Sequence, residues 1–203
     1  YALVTDAMEG LILVDINTLA DGEFRNNRLT RALTWNPGGV LAGARHVTIG
    51  GNVAYVIANA GLVIVDLTDP LAPKTLATVP LVQGRASALQ FRYLFVTDSD
   101  GLKVVDVTQP AQARMVPAAT LPLASARGVF AARTHIYVAD GARGLAIVDI
   151  ERPEQPRLLM HYDAGGAIRD ARDVVVASTN ASLFAYVADG GGGLKVLQLT
   201  APD

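Results

Sequence analysis

Residues 61–66 read GLVIVD, which places four consecutive apolar residues between a glycine and an aspartate. A strand covered on one face alternates apolar and polar residues, whereas a strand covered on both faces is apolar throughout. The phrase therefore predicts an interior strand that is buried on both sides. It returns with small changes as GLILVD (10–15), GLKVVD (101–106), GLAIVD (144–149) and GLKVLQ (193–198). The chain thus repeats a unit of roughly 40 to 50 residues, a period typical of propeller blades and solenoids.

A second apolar run precedes each copy of the phrase, as in YLFVTD (93–98) and HIYVAD (135–140). Short connectors containing Gly or Asp join the two runs, and this pattern indicates a β-hairpin. The leading glycine of the phrase is expected to supply a positive φ, and its closing aspartate to cap the proline-containing turn that follows. One further apolar run on each side gives four short antiparallel strands per repeat, the number in a β-propeller blade.

The predicted fold class is therefore all-β, a β-propeller of four-stranded antiparallel blades with about five repeat units and incomplete terminal blades. We expect a single domain, or part of one, over residues 1–203. The expected blade units are about 1–43, 44–83, 84–124, 125–170 and 171–203. Counting apolar runs predicts three strands in each terminal blade and four in each of the others. Because open sheet edges favour aggregation, we expect another protein chain, or additional segments of the same protein, to complete the propeller.

The first and last units depart from the repeat. The sequence NTLADGEFRNN (17–27) stands in place of the proline turn, and TWNPGGVLAG (34–43) follows as an insertion. Trp35 in this insertion is either a core residue or an anchor that faces a partner. The last unit ends in LQLTAPD (197–203) without an outer strand. The chain begins at Tyr1 without a leader, which suggests a processed product or a segment of a longer protein.

Composition excludes several classes of function. The net charge of -2 gives no electrostatic reason to expect a nucleic-acid partner. The chain has no cysteine, so disulfides and thiolate metal sites are excluded. No apolar run reaches the roughly 18 residues that span a bilayer, so we expect no membrane insertion. The three histidines lie in different units without metal-ligand spacing, and we predict neither a metal site nor a cofactor.

An arginine opens each predicted inner strand: Arg45, Arg85, Arg127 and Arg172. Inner strands of a propeller begin on one face, so these side chains are expected to surround one mouth of the central channel. In one interpretation they form, with His46, a site for a carboxylate or phosphate. In the other, each pairs with the aspartate that ends the second strand of its own blade, namely Asp98, Asp140 or Asp189. Arg45 instead faces Asn59, which predicts a cation without a neutralising partner.

The unit with the pattern YVAD, GLxVVD and PxxP resembles the LVIVD-repeat family of β-propellers, in five copies over nearly the whole chain. This resemblance implies a bacterial or archaeal protein that is exported, and therefore extracellular, on the cell surface or periplasmic. The residues show no repeated nucleophile or acid–base pair, so no catalytic residue is predicted. The favoured function is a non-catalytic protein-interaction or scaffold module of the cell envelope or cell surface. The alternatives are a ligand-binding or enzymatic propeller acting on an anionic small molecule at the arginine-lined mouth, and a purely structural segment of a larger surface protein.

Overall fold

The computed structural model describes residues 1–17, 22–23, 25, 28–178 and 182–199. These residues contain eighteen β-strands in five antiparallel sheets, with three, four, four, four and three strands in chain order. The predicted all-β fold built of β-propeller blades is thus confirmed, and so is the strand count. The helical turns with described bounds are short 3₁₀ turns at Pro37–Gly39, Pro110–Gln112 and Gly190–Gly192. Most of the segment 17–27 that replaces the proline turn, and residues 200–203, lie outside the described residues.

The chain divides into two compact units, the first comprising Tyr1–Gly84 and Gln109–Ala113. Its strands are β1 (Ala2–Asp6), β2 (Gly10–Asp15) and β3 (Thr30–Trp35), which form blade 1, and β4 (His46–Gly50), β5 (Val53–Ala58), β6 (Gly61–Asp66) and β7 (Lys74–Val79), which form blade 2. Leu11 and Leu13 of blade 1 share a buried cluster with Val63 and Val65 of blade 2. Trp35 is half-buried and packs against this cluster, in agreement with the first of its two interpretations.

The second unit comprises Arg85–Thr108 and the described residues from Arg114 onward. Blade 3 consists of β8 (Ala86–Gln90), β9 (Tyr93–Thr97), β10 (Gly101–Asp106) and β11 (Arg114–Pro122). Blade 4 consists of β12 (Val129–Ala132), β13 (His135–Ala139), β14 (Leu145–Asp149) and β15 (Arg157–Tyr162). The described strands of blade 5 are β16 (Ala171–Ser178), β17 (Leu183–Asp189) and β18 (Gly193–Gln198). One buried cluster joins blades 3 and 4, and another joins blades 4 and 5. The blade boundaries and the single domain expected from the sequence stay predictions.

The repeated apolar phrase forms the third strand of blades 2 to 5 and the middle one of the three described strands of blade 1. It is buried on both faces in blades 2 and 3. Val63, Val65, Val104 and Val148 have no exposed surface, as the sequence predicts. The same prediction is wrong for Ile147, which is only half-buried. Blade 5 covers that face of blade 4. Because the described part of blade 5 has three strands, it covers less of this face than a four-stranded blade would.

The glycine and the aspartate at the two ends of the phrase have separate roles. Gly61 has a φ of 117°, and a Cβ at this position would lie 2.4 Å from the carbonyl oxygen of Val79. The glycine is therefore required by close approach of the outer strand as well as by its backbone conformation. At the other end, the Asp66 carboxylate accepts bonds from the hydroxyl and the amide of Thr68, at 2.6 and 2.8 Å. These two bonds hold the pKa of Asp66 below its ordinary value, and the predicted turn cap is confirmed.

Candidate functional site

The four arginines of the candidate site occupy equivalent positions at the beginning of their inner strands. Arg45 directly precedes β4, Arg85 directly precedes β8, Arg127 lies two residues before β12 and Arg172 is the second residue of β16. The amides of Arg45, Arg85 and Arg127 each bond to a carbonyl near the end of the second strand, at 2.8 to 3.0 Å. These backbone bonds fix the positions of the three arginine residues, and their side chains bond to other groups.

In the second unit the arginine side chains bond across to the next blade. Arg85 Nη1 donates to the carbonyl oxygen of Ala126 at 2.6 Å, 41 residues further along the chain. Arg127 Nη1 bonds to Asp170 Oδ1 at 2.7 Å, 43 residues further along. Both partners lie just before the inner strand of the following blade. The arginines thus fasten blade 3 to blade 4 and blade 4 to blade 5.

The predicted pairing of each arginine with the aspartate of its own blade is wrong for Arg127 and Arg172. Both guanidinium groups bind Asp170, since Arg172 Nε donates to Asp170 Oδ2 at 2.8 Å. The expected partners, Asp140 and Asp189, are directed elsewhere. The physical reason is that these two aspartates are buried beneath the loop that enters the blade, whose backbone amides need acceptors.

Each buried aspartate fixes an entering loop. Asp140, which has no exposed surface, accepts the amide of Ser125 at 2.6 Å, and its other oxygen lies 3.0 Å from His161 Nε2. Asp189 accepts the amides of Asp170 at 2.6 Å and Arg169 at 2.9 Å. The bond from the Asp170 amide is the main reason that the pKa of Asp189 lies below its ordinary value. These carboxylates therefore act as anchors for the chain that carries the arginines.

In blade 3 the buried carboxylate has a lysine partner. Lys103 Nζ lies 2.6 Å from Asp98 Oδ2 and 2.8 Å from Asp100 Oδ2. Burial alone would lower the pKa of Lys103, but the bonds to Asp100 and Asp98 raise it above its ordinary value. The ammonium group therefore stays charged and neutralises the fully buried Asp98 side chain. Lys103 is the third residue of the repeated phrase GLKVVD (101–106). Its position in the phrase is therefore the sequence signal for the lysine that pairs with Asp98.

Asp170 is the residue that the sequence analysis missed, although it joins two of the predicted site residues. Its side chain is about one-third exposed, and it lies between Arg127 and Arg172. The bond from Arg172, followed by that from Arg127, holds the pKa of Asp170 below its ordinary value. Asp170 lies 43 residues after Arg127, which is about one repeat. This spacing is the sequence signal that could have identified Asp170 as the partner of Arg127.

Replacing Arg172 with alanine is expected to raise the pKa of Asp170 more than replacing Arg127, because the bond from Arg172 contributes most to the lowered value. The lowered pKa means that this ion-pair stabilisation is present above the ordinary carboxyl pKa and is lost as the pH falls through the lowered value. Titration of the Asp170 carboxyl carbon by NMR measures the shift. Arg114→Ala removes an arginine that is 77% exposed and should leave this titration unchanged. Equal titration curves in the Arg172→Ala variant and the wild type would contradict the assignment.

Arg45 and His46 belong to the first unit. Arg45 Nη2 donates to Asn59 Oδ1 at 2.5 Å, and its Nε donates to the carbonyl oxygen of Gly43 at 3.0 Å. Both acceptors are uncharged, and within the described residues Arg45 forms no ion pair. Among those residues, therefore, no carboxylate neutralises its charge, as the sequence predicts. His46 is half-buried on β4 beside it. That Arg45, His46, Arg85, Arg127 and Arg172 bind a ligand at one channel mouth stays a prediction.

An open depression of about 440 Å³ lies in blade 5, beside the GGG turn that joins β17 to β18. Charged side chains of both signs line it: Arg169 and Lys195 are cationic, and Asp170 and Asp189 are anionic. The described residues contain no group of three or more His, Cys, Asp or Glu side chains close enough to hold a metal ion. Within the same residues, no helix has the length and apolar character needed to cross a bilayer.

The sequence profile of the LVIVD repeat matches residues 43–79, 88–117, 125–164 and 168–199. The chain belongs to the LVIVD repeat family. The four matched segments correspond to blades 2 to 5, so the LVIVD resemblance proposed from the repeated phrase is confirmed. Blade 1, with its insertion, lies outside the matched segments. A search of curated protein sequences finds no match to this LVIVD chain.

Solved structures with the same fold include bacterial propeller proteins. BamB from Moraxella catarrhalis is 14% identical, with a TM-score of 0.66 over 97% of this chain and 55% of BamB. A functionally unknown protein from Desulfotomaculum acetoxidans is 12% identical, with a TM-score of 0.66 over 98% of this chain and 65% of that one. The extracellular domain of the hybrid two-component system BT4673 from B. thetaiotaomicron is 13% identical, with a TM-score of 0.60 over 98% and 27%. At these identities the likeness shows the fold alone, and the LVIVD chain spans less than two thirds of each structure.

Proposed function

We propose that this LVIVD propeller chain is a non-catalytic protein-interaction or scaffold module of the cell envelope or cell surface. The observation that carries the proposal is the use of the arginines in the second unit. Arg85 and Arg127 bond to backbone and carboxylate groups of the next blade, and Arg172 shares the same carboxylate. The bonds of Arg85 and Arg127 join adjacent blades, so these two guanidinium groups serve to hold the second unit together.

The comparisons support the proposed location without assigning it. The BT4673 structure is that of an extracellular domain. PorZ of Porphyromonas gingivalis is described as a bacterial surface component of a secretion system. We propose that this chain is likewise extracellular, on the cell surface or periplasmic. Propellers offer broad exposed faces, and fold alone does not specify the partner.

The alternative function is a site for an anionic small molecule at Arg45. The specific observation in its favour is the pair of uncharged acceptors, Asn59 and Gly43, that hold this guanidinium and leave its charge available. A carboxylate or phosphate would form a charge-assisted pair with the remaining donors. Arg45 and His46 are the residues of this alternative in the first unit.

Thermal unfolding in the presence of sugar acids, phosphate and dicarboxylates separates the two functions. The scaffold proposal expects no ligand to raise the unfolding midpoint of the wild type beyond the general effect of salt, because Arg85, Arg127 and Arg172 already bond to groups of the protein. A rise that occurs in the wild type and the exposed control Arg114→Ala, but is lost in Arg45→Ala, would overturn the scaffold proposal in favour of the ligand site. Chemical cross-linking in source cells should additionally give one discrete protein adduct in the envelope fraction.

A further inference from the structure

Blade 5 exposes an apolar sheet face. Val175 on β16 pairs with Tyr186 on β17, and Tyr186 pairs with Val196 on β18, so the three side chains form one row. They are 51%, 38% and 54% exposed, and the neighbouring Leu194 is 66% exposed. The opposite face of the same sheet packs against blade 4 through a buried cluster. An exposed apolar row of this kind marks an interaction surface.

The corresponding row in blade 4 is covered. Phe130, Tyr137 and Ile147 pair across β12, β13 and β14 in the same register, so Tyr137 is the equivalent of Tyr186. Tyr137 is only 5% exposed, because the next sheet packs over it. The residues of β17 in that cluster are Ala185 and Val187, which have no exposed surface.

Blade 3 shows the same arrangement. Phe95 occupies the aromatic position, and it is fully buried in a cluster with Ile136 and Val138 of β13. At both junctions of the second unit, an aromatic side chain of one blade thus packs against small or β-branched side chains on the second strand of the next. The covering residues of blade 4, Ile136 and Val138, lie four and two positions before Asp140. Those of blade 5 lie at the same distances before Asp189.

Blade 1 carries such a covering face in exposed form. Ala2 and Val4 lie four and two residues before Asp6, as Ala185 and Val187 lie before Asp189. Ala2 is exposed, and Val4 is 46% exposed, although the equivalent residues of blade 5 are completely buried. Blade 1 therefore presents a small, β-branched surface of the type that covers the aromatic row elsewhere in the chain.

We propose that the apolar face of blade 5, formed by Val175, Tyr186, Leu194 and Val196, packs against the face of blade 1 that carries Ala2 and Val4 in a second copy of this chain. The contact repeats between molecules the blade-to-blade packing seen within the second unit. It is heterologous, because the two surfaces differ, so each copy has one surface of each type to offer. This self-assembly goes beyond the proposed partner binding and does not depend on it.

Sedimentation velocity over a range of protein concentrations tests the contact. The wild type is expected to associate, and Tyr186→Arg and Val4→Arg are each expected to weaken association at least about tenfold, because each places a charge in an apolar interface. An equimolar mixture of the two variants should form a dimer and stop there, since Tyr186→Arg retains the blade 1 surface and Val4→Arg retains the blade 5 surface. Leu71→Arg, at a residue that is 51% exposed outside both surfaces, should associate like the wild type.

Circular dichroism verifies that each variant is folded, and Leu194→Glu provides a second blade 5 variant at a more exposed side chain. A wild type that stays monomeric at every concentration overturns the proposal. So does self-association that persists in Val4→Arg, because it would mean that blade 5 packs against another blade 5. Neither result bears on the anion screen or on envelope cross-linking, so failure here is distinguishable from failure of the proposed function.

Discussion

Replacing Phe95 with alanine is expected to lower the free energy of unfolding by about 3–5 kcal/mol, the range observed for removal of a buried aromatic side chain. Phe95 has no exposed surface, and it lies in the cluster that joins blades 3 and 4. Its loss removes apolar contacts on both sheets and leaves a cavity that close-packed strands cannot fill. The structural effect should therefore extend to the junction of two blades.

Phe91 provides a matched control for this substitution. It lies in the turn between β8 and β9 and is 91% exposed, so Phe91→Ala should change stability by less than about 0.5 kcal/mol. Urea denaturation followed by far-UV circular dichroism measures both variants. Far-UV detection is required because the single tryptophan, Trp35, reports on the first unit. A loss below about 1 kcal/mol in Phe95→Ala would contradict the packing between blades 3 and 4.

Gly101→Ala is expected to destabilise the protein by at least about 2 kcal/mol, although it adds a single methyl group. Gly101 has a φ of 136°, and a Cβ there would lie 2.2 Å from the Leu121 carbonyl oxygen and 2.6 Å from the Leu123 amide nitrogen. Two costs add: strain in a backbone conformation that favours glycine, about 1–3 kcal/mol, and displacement of the outer strand, about 1–3 kcal/mol.

Gly165→Ala separates these two costs. Gly165 also has a positive φ, of 66°, but no described atom lies within 4 Å of a Cβ at that position. This variant should therefore show the backbone strain without the collision, and its denaturation midpoint should fall less than that of Gly101→Ala. Equal losses in the two variants would mean that the outer strand yields freely, in contradiction to the close approach that the repeated glycine accommodates.

The strands could be predicted from the sequence because their signals are local and repeated. Continuous Val, Ile and Leu runs bounded by Gly and Asp indicate strands covered on both faces, and five copies of the pattern reinforce one another. Ile147 was nevertheless predicted to be buried and is only half-buried, because its burial depends on the width of the blade that covers it. The three strands of blade 5 were predicted, but how much of the Ile147 side chain they cover depends on how the two sheets pack and cannot be predicted from the phrase itself.

The partners of the arginines could be predicted only in part. Arg45 was expected to face Asn59, and it does so because both residues belong to one hairpin. Arg127 was expected to bind Asp140, on the adjacent strand of its own blade, and instead binds Asp170, one repeat further along. Spacing along a hairpin identifies neighbours within a sheet, but it does not identify which side chain of the next sheet lies within reach.

The sequence alone determined the repeat, the strands and their grouping into blades, because backbone pairing and two-sided burial depend on residue patterns within about 50 residues. The tertiary structure decided which charged groups meet and which apolar faces are left exposed. Tyr137 and Tyr186 occupy the same position in nearly the same YVAD phrase, yet one is 5% exposed and the other 38%. The difference arises from the next sheet, which covers Tyr137 and has no counterpart over Tyr186 in the described structure, because burial is a property of packed layers and not of a phrase.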